Sequence, residues 1–158
     1  MILQYSVTTT LQQSAGRTLL SWSVRLIRIL LVDDNDWTRK ALNHLLSREG
    51  DMTVVGESED GLDAVRKAGF LKPHIVLMDL SMPGMDGIEA TRQINASFPE
   101  IRVIMLTLYD SKQYISSTLK AGAMGYILKD SIASELVHGI REVTQGRMYL
   151  GSGINNTV

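Results

Sequence analysis

Several residue types that define common functional classes are absent or scarce in this chain. The sequence contains no cysteine, which excludes disulfide bonds, thiolate metal ligands and cysteine nucleophiles and is typical of a reducing cytoplasm. The 16 basic and 17 acidic residues nearly cancel, so no overall field attracts nucleic acid or an anionic membrane. No apolar run approaches the roughly 20 residues that span a bilayer, and the polar residues 1–16 do not resemble a secretory signal. We expect a cytoplasmic protein without membrane contact.

The composition of the chain is typical of one globular domain, because 44% of the 158 residues are hydrophobic and 21% are charged. Residues 1–26 differ from the rest: a Ser/Thr/Gln-rich stretch is followed by alternating apolar and polar residues from Leu20 to Leu26, which predicts an extended segment. We interpret residues 1–26 as an N-terminal extension, either a flexible arm or a remnant of cloning or of an upstream start. The alternative is an added edge strand or a partner-binding arm.

From Arg28 onward, short apolar runs alternate with segments of helical periodicity. The predicted strands are 28–32, 53–57, 75–78, 103–106 and 125–128. Strands joined through helices form parallel sheets with right-handed crossovers and helices on both faces. The sequence therefore predicts an α/β fold with a doubly wound, five-stranded parallel sheet of the flavodoxin-like order 2-1-3-4-5. Within it, Asp86 is expected to cap the third helix, Asp110 or Ser111 the fourth, and Gly122 to end the fourth in a left-handed turn.

Three carboxylates follow two strands that this order makes neighbours. Asp33 and Asp34 follow the first strand and Asp79 follows the third, and the carboxyl ends of these strands share one crevice. At about 4 to 5 Å and an effective dielectric constant near 20, each like-charge pair costs about 3 to 4 kcal/mol. A divalent cation would relieve this repulsion, and an all-oxygen ligand set suits Mg²⁺.

Two further strand ends meet the same crevice and bring a hydroxyl and an ammonium group. Thr107 ends the fourth strand and Lys129 follows the fifth. Phosphoryl transfer depends mainly on positioning and on neutralising charge on the phosphoryl oxygens. The combination predicts that Asp79 forms an acyl phosphate.

Taken together, these positions resemble the signature of response-regulator receiver domains. The residues that carry the resemblance are Asp33-Asp34, the run Leu77-Met78-Asp79-Leu80-Ser81-Met82-Pro83-Gly84-Met85-Asp86-Gly87, Thr107, and Gly125-Tyr126-Ile127-Leu128-Lys129. The resemblance covers residues 27–147 and is strongest to the subgroup that carries a LuxR/NarL-type helix-turn-helix. Residues 148–158 then resemble the start of an interdomain linker or tail.

The resemblance implies a signalling switch rather than an enzyme with an external product: the chain would catalyse only its own phosphorylation and dephosphorylation. Asp79 would accept phosphate from a phosphohistidine on a sensor histidine kinase. Asp34 and Asp79 would bind Mg²⁺ directly, Asp33 largely through water, and the backbone carbonyl of Ser81 would complete the protein ligands.

The resemblance also implies how the phosphorylated state is read. Thr107 and Lys129 would hold the phosphoryl oxygens, and Tyr126 would turn inward and report on the face made by the last two helices and the fifth strand. Output could involve a homodimer, and control of transcription would need a DNA-binding helix-turn-helix outside this chain. The sequence departs from most receivers at Asp130, where they have a cis proline; both isomers of the Lys129–Asp130 bond stay open.

The sequence leaves three other interpretations of the same residues open. Asp33 and Asp34 could merely cap the next helix, as Asn35 or Asp36 also could. A haloacid dehalogenase-type phosphatase also has a nucleophilic aspartate after a parallel strand, but that family has a second acid where this chain has Ser81. A phosphorylation-independent, receiver-like interaction module is the third possibility, although such modules usually lack one of the acidic or lysine positions, and this chain keeps them all.

Overall fold

The computed structural model describes residues 4–11 and 18–154, with side chains described from Arg25 onward. Residues 1–3 and 12–17 of the N-terminal extension and residues 155–158 of the predicted tail lie outside the described residues. None of the helices in the described ranges has both the length and the apolar character needed to cross a membrane.

A parallel sheet forms the centre of the protein, as predicted. Its strands are β3 (Ile27–Val32), β4 (Met52–Ser58), β5 (Ile75–Asp79), β6 (Arg102–Thr107), β7 (Gly125–Leu128) and β8 (Tyr149–Leu150). The order is β4-β3-β5-β6-β7-β8. The first five strands therefore follow the predicted order 2-1-3-4-5, but the predicted number of five is wrong by one.

The sixth strand comes from the segment that the sequence predicts to be the start of a linker. Tyr149 pairs with Gly125 and Leu150 with Tyr126, both in parallel. The following residues turn back, and the side chain of Ile154 is fully buried. A two-residue strand has no readable periodicity, so the sequence did not predict it, and the resemblance indicated a linker or tail here.

In the described ranges, five helices cover the two faces of the sheet. They are α1 (Asp36–Ser47), α2 (Gly61–Leu71), α3 (Gly87–Ser97), α4 (Lys112–Lys120) and α5 (Ile132–Thr144), with one turn of 3₁₀-helix at Lys129–Ser131. One buried cluster joins α1 and α5 to the sheet through Leu42, Leu46, Leu136, Ile140 and Val143. A second cluster on the opposite face contains residues of α2, α3 and α4. The central strands β3 and β5 are buried on both faces, which explains their continuous apolar sequences.

The ends of the helices follow local sequence signals. The backbone N–H of Glu89 donates to the Asp86 side chain at the start of α3 (2.8 Å). Ser111, rather than Asp110, caps α4. Gly122 follows α4 with a φ of +105°, a value that glycine adopts without strain. These contacts confirm three of the predicted helix boundaries.

The alternating segment of the N-terminal extension is a strand. β1 (Gln4–Leu11) and β2 (Thr18–Arg25) pair antiparallel as a two-stranded sheet separate from the central one. This two-stranded sheet does not add an edge strand to the central sheet. Of the two alternatives to a flexible arm or a remnant, only the partner-binding arm is left.

Candidate phosphorylation and metal site

The loop after β3 is organised by Asn35 and not by the two aspartates before it. Asn35 is the N-cap of α1, and its side chain accepts the backbone N–H of Thr38 (3.2 Å). Asp33 instead accepts the backbone N–H of Asn35 on Oδ1 (2.8 Å). Since another residue caps the helix, the capping explanation for Asp33 and Asp34 is not needed.

The fold brings the three predicted carboxylates together. Asp33, Asp34 and Asp79 each offer an oxygen, and these oxygens lie within 4.8 Å of one another. Asp33 and Asp79 are buried, whereas Asp34 is exposed. The order of β3 and β5 causes this convergence, because both strands end at the same edge of the sheet.

Lys129 lies between two of these carboxylates. Its Nζ is 2.8 Å from Asp33 Oδ2 and 3.1 Å from Asp79 Oδ1. Burial alone would lower the pKa of the Lys129 ammonium, but the hydrogen bond with Asp33 and the charges of Asp79 and Asp33 outweigh burial and raise its pKa. Lys129 is therefore a cation in this site and offsets part of the repulsion between the acids.

The surroundings of Asp79 disfavour its negative charge. Burial, followed by the negative charge of Asp33, raises the pKa of Asp79 above its ordinary value, and Lys129 opposes this rise only in part. The charged form of Asp79 is thus less favourable here than in water. A further cation would stabilise it.

Gly87 allows the next helix to start directly against Asp79. A Cβ atom on Gly87 would lie 2.0 Å from the carbonyl oxygen of Asp79, well inside any real contact distance. The Gly87 N–H donates to the carbonyl of Leu80 (2.9 Å). The absence of a side chain at Gly87 therefore permits a close approach of α3 to the backbone of Asp79.

Ser81 lies two residues beyond Asp79 in the exposed loop between β5 and α3. Within the part of the chain that the structure describes, its carbonyl oxygen accepts no backbone hydrogen bond outside the regular elements. Its predicted role stays a prediction.

Thr107 lies at the end of β6, the strand next to β5, and Tyr126 lies in the next strand, β7. Thr107 ends β6 and is buried, and its Oγ1 accepts the backbone N–H of Tyr109 (3.1 Å). The ring of Tyr126 is fully buried, and its hydroxyl donates to the carbonyl of Tyr109 (2.6 Å). Burial raises the pKa of Tyr126 to about 12, so the phenol stays protonated as a donor. One loop residue, Tyr109, thus connects Thr107 to Tyr126.

The peptide bond between Lys129 and Asp130 is trans, which resolves the alternative that the sequence left open. Lys129 begins the 3₁₀ turn Lys129–Ser131. The lysine reaches Asp33 and Asp79 from this turn without a proline.

Two contributors to the site were not identified from the sequence. Arg39 donates from Nη1 to the carbonyl of Asp33 (2.7 Å) and is buried on α1. It precedes Leu42 by three residues and Leu46 by seven, so helical spacing would have placed it on the inward face of α1. Tyr109 acts through its backbone, which leaves no signal in the sequence.

The acidic cluster fits a bound metal ion. It supplies three carboxylates from the ends of two strands, one of them open to solvent. Such hard oxygen ligands suit a divalent cation that keeps part of its water shell. The cluster could therefore bind a metal.

Comparison with known proteins gives the family. The response regulator receiver domain family matches residues 29–141, and this chain belongs to it. A LuxR-family two-component response regulator from Aurantimonas sp. SI85-9A1 has a similar solved structure, with a TM-score of 0.81 and 35% identity over 84% of this chain and 94% of that one.

Two curated relatives come from Bacillus subtilis (strain 168). The uncharacterized transcriptional regulatory protein YxjL is 38% identical over 120 residues, which are 76% of this chain and 55% of the relative. The transcriptional regulatory protein LiaR is 40% identical over 133 residues, or 84% and 63%. The chain thus spans between about half and two thirds of the length of these relatives, and it is a receiver domain of the two-component type with LuxR-type neighbours.

Proposed function

We propose that Asp79 is the phosphoacceptor of this receiver domain and that a sensor histidine kinase is the phosphoryl donor. The convergence of Asp33, Asp34 and Asp79 beside Lys129 supports this proposal most directly. An Asp79 carboxylate oxygen attacks phosphorus, the bond from phosphorus to the kinase histidine breaks, and its electron pair returns to the imidazole. The product is an acyl phosphate, which water later hydrolyses.

The proposed metal is Mg²⁺, held by Asp34, Asp79 and the Ser81 carbonyl, with Asp33 acting through water. When bound, Mg²⁺ neutralises charge on the transferred group and on the carboxylates. Lys129 is already within 3.1 Å of Asp79 and would bind a phosphoryl oxygen as a cation. The Thr107 hydroxyl accepts a hydrogen bond from Tyr109, which leaves its own proton to donate to another phosphoryl oxygen.

We infer that Tyr126 reports the phosphorylated state to the surface formed by α4, β7 and α5. Its hydroxyl is held by the Tyr109 carbonyl, two residues from Thr107. A phosphoryl group adds about 1.5 to 2 negative charges and would pull Thr107 and this loop toward Asp79. Such a shift biases the loop between two arrangements and would alter a homodimer or partner surface.

Control of transcription is the proposed output. YxjL and LiaR are named transcriptional regulatory proteins, and this chain matches only part of their length. DNA would then be bound by a helix-turn-helix domain outside the chain. The proposed location is the cytoplasm, where a sensor histidine kinase would donate the phosphoryl group. Residues 1–26 have no part in this mechanism, and residues 27–147 carry it.

The test is incubation of the protein with acetyl phosphate, with and without MgCl₂. We expect a mass increase of one phosphoryl group that requires Mg²⁺, reacts with hydroxylamine as an acyl phosphate does, and is lost in Asp79→Asn. Asp110→Asn changes an exposed aspartate of the neighbouring loop and serves as the matched control. Modification that persists in Asp79→Asn would disprove the assignment. Lack of any modification or turnover would favour an interaction module, and turnover of the phosphodonor without any accumulated acyl phosphate would favour a phosphatase.

A further inference from the structure

Arg39 is a buried cation in the first turn of α1, five residues after Asp34. Its side chain is only 6% exposed, which is unusual for arginine. Nη1 donates to the carbonyl of Asp33 at 2.7 Å, and Nε donates to Glu57 at 3.1 Å. Nη2 contacts Asp36 at 3.1 Å and Glu59 at 3.2 Å. The guanidinium therefore joins α1, the loop after β3 and the end of β4.

The contact with Asp33 completes the fixation of that residue. The backbone N–H of Asp33 donates to Ser58 (3.1 Å), Oδ1 accepts from Asn35 and Oδ2 from Lys129. With Arg39 on its carbonyl, Asp33 is held from both sides of the backbone and at both carboxylate oxygens. The carbonyl of Asp33 belongs to the peptide bond that leads into Asp34. Fixing it therefore restricts the direction of the Asp34 side chain as well.

The planar geometry of arginine suits this role. Its fork of N–H groups reaches a carbonyl and carboxylates in different directions at fixed angles. The carboxylates of Asp36, Glu57 and Glu59 are partly or fully exposed, so they could be solvated without it. The Asp33 carbonyl is the acceptor of the one fully buried hydrogen bond that Arg39 makes.

We propose that Arg39 is a positioning residue for the acidic cluster: through the Asp33 carbonyl it holds Asp33 and Asp34 in the arrangement that binds the divalent cation. The inference rests on the proposed function, in which this cluster binds Mg²⁺. Arg39 itself touches neither the metal nor the phosphoryl group.

A positioning role and a purely electrostatic role have opposite consequences for metal affinity. Arg39 is a positive charge beside a cation site, so its removal would strengthen Mg²⁺ binding if only the field mattered. If Arg39 positions the ligands, its removal weakens binding despite the more favourable field. A residue that only stabilises the fold would leave the affinity of the folded protein unchanged.

The experiment measures metal affinity directly. Free Mn²⁺ is quantified by electron paramagnetic resonance in the presence of the protein, and Mg²⁺ affinity follows from competition at constant ionic strength. The samples are wild type, Arg39→Gln, Arg39→Lys and the control Arg92→Gln, which removes an exposed arginine that pairs with Glu89 on α3. Circular dichroism at the same temperature verifies that each variant is folded.

We expect Arg39→Gln to weaken Mg²⁺ binding about tenfold, the lower end of the effect that outer partners of metal ligands show. Arg39→Lys keeps the charge but not the fork, so we expect a loss of about threefold, and Arg92→Gln should equal wild type. If Arg39→Gln does not fold, Arg39→Lys alone decides the matter. Unchanged or tighter binding in the folded variants would overturn the inference while leaving the proposed function intact. If wild type binds neither ion, the proposed function fails and the inference fails with it.

Discussion

Gly87 shows how one missing side chain determines the geometry of the site. Any Cβ there would meet the carbonyl of Asp79 at 2.0 Å, so Gly87→Ala must push α3 away from the end of β5. We expect a loss of about 1 to 3 kcal/mol in the free energy of unfolding, as for other overpacked sites, together with slower phosphorylation of Asp79. Urea unfolding measures the first effect.

The control for this substitution is Gly50→Ala, since a Cβ at Gly50 would meet no atom within 4 Å. Its effect should stay within about 0.5 kcal/mol. Equal unfolding midpoints for the two variants would show that the contact at Gly87 relaxes without cost.

Asp63 gives the clearest pH dependence at the residue scale. Burial alone would raise its pKa, but hydrogen bonds from Lys67, Arg66 and Ser58 outweigh burial and lower the pKa to about 2. A carboxylate with a lowered pKa stabilises the fold above its unfolded pKa of 3.8, and this stabilisation is lost as the pH falls through about 2.

The expected size of this effect is about 1 to 2 kcal/mol at pH 7, after a discount for solvent screening. Asp63→Asn should therefore destabilise the protein at pH 7 and differ less and less from wild type below about pH 4. Urea unfolding at pH 7, 4 and 3 measures the difference. A gap between the two proteins that stays constant over this range would contradict the lowered pKa.

The residues that act by strand-end position could be predicted from the sequence, and those that act by tertiary contact could not. Asp33, Asp34 and Asp79 converge because parallel strands end at one edge. The position of the Arg39 side chain depends on its contacts with Glu57 and Glu59, which lie at the end of β4. Contacts between segments so far apart in the chain leave no local pattern in the sequence.

At the scale of the elements, β8 was the one strand of the central sheet that the sequence did not reveal. It covers the open edge of β7, with Tyr149 donating to the carbonyl of Met124 (3.0 Å) and Gly151 to that of Tyr126 (2.9 Å). Beyond it, Ile154 lies in the same buried cluster as Tyr126 and Ile115. The segment that leaves the receiver domain is therefore part of its core.

Ile154 is expected to contribute as a core residue although it is the last of the described residues. Ile154→Ala should lower the free energy of unfolding by about 2 to 5 kcal/mol, as buried isoleucine truncations do. Met148→Ala, at a position that is half exposed, should change it by less than about 0.5 kcal/mol. Thermal and urea unfolding measure both. An Ile154→Ala protein as stable as wild type would mean that the segment after β8 is not docked in solution.

At the scale of the whole molecule, the fold concentrates negative charge at one end of the sheet in a chain with a formal charge of only −1. Two of the three acids share Lys129, and Asp34 has no such cation among the described ion pairs. The five longer strands of this sheet could be predicted because their apolar runs alternate with helical segments, and the runs of β3 and β5 are buried on both faces. The consequence for stability is that the metal-free protein carries repulsion that a cation removes.

Mg²⁺ should therefore raise the stability of the whole domain. Binding to the folded state adds RT ln(1 + [Mg²⁺]/Kd), which is about 1.4 kcal/mol at ten times Kd. We expect the thermal midpoint to rise with MgCl₂ beyond the effect of NaCl at equal ionic strength, and this rise to shrink in Asp34→Ala. The metal-free Asp34→Ala protein should be at least as stable as wild type, because one repulsive charge is gone. Glu100→Gln, an exposed acid at the opposite end of β6, should retain the full Mg²⁺ effect. Equal midpoints in MgCl₂ and NaCl for wild type would rule out a metal site at the strand ends.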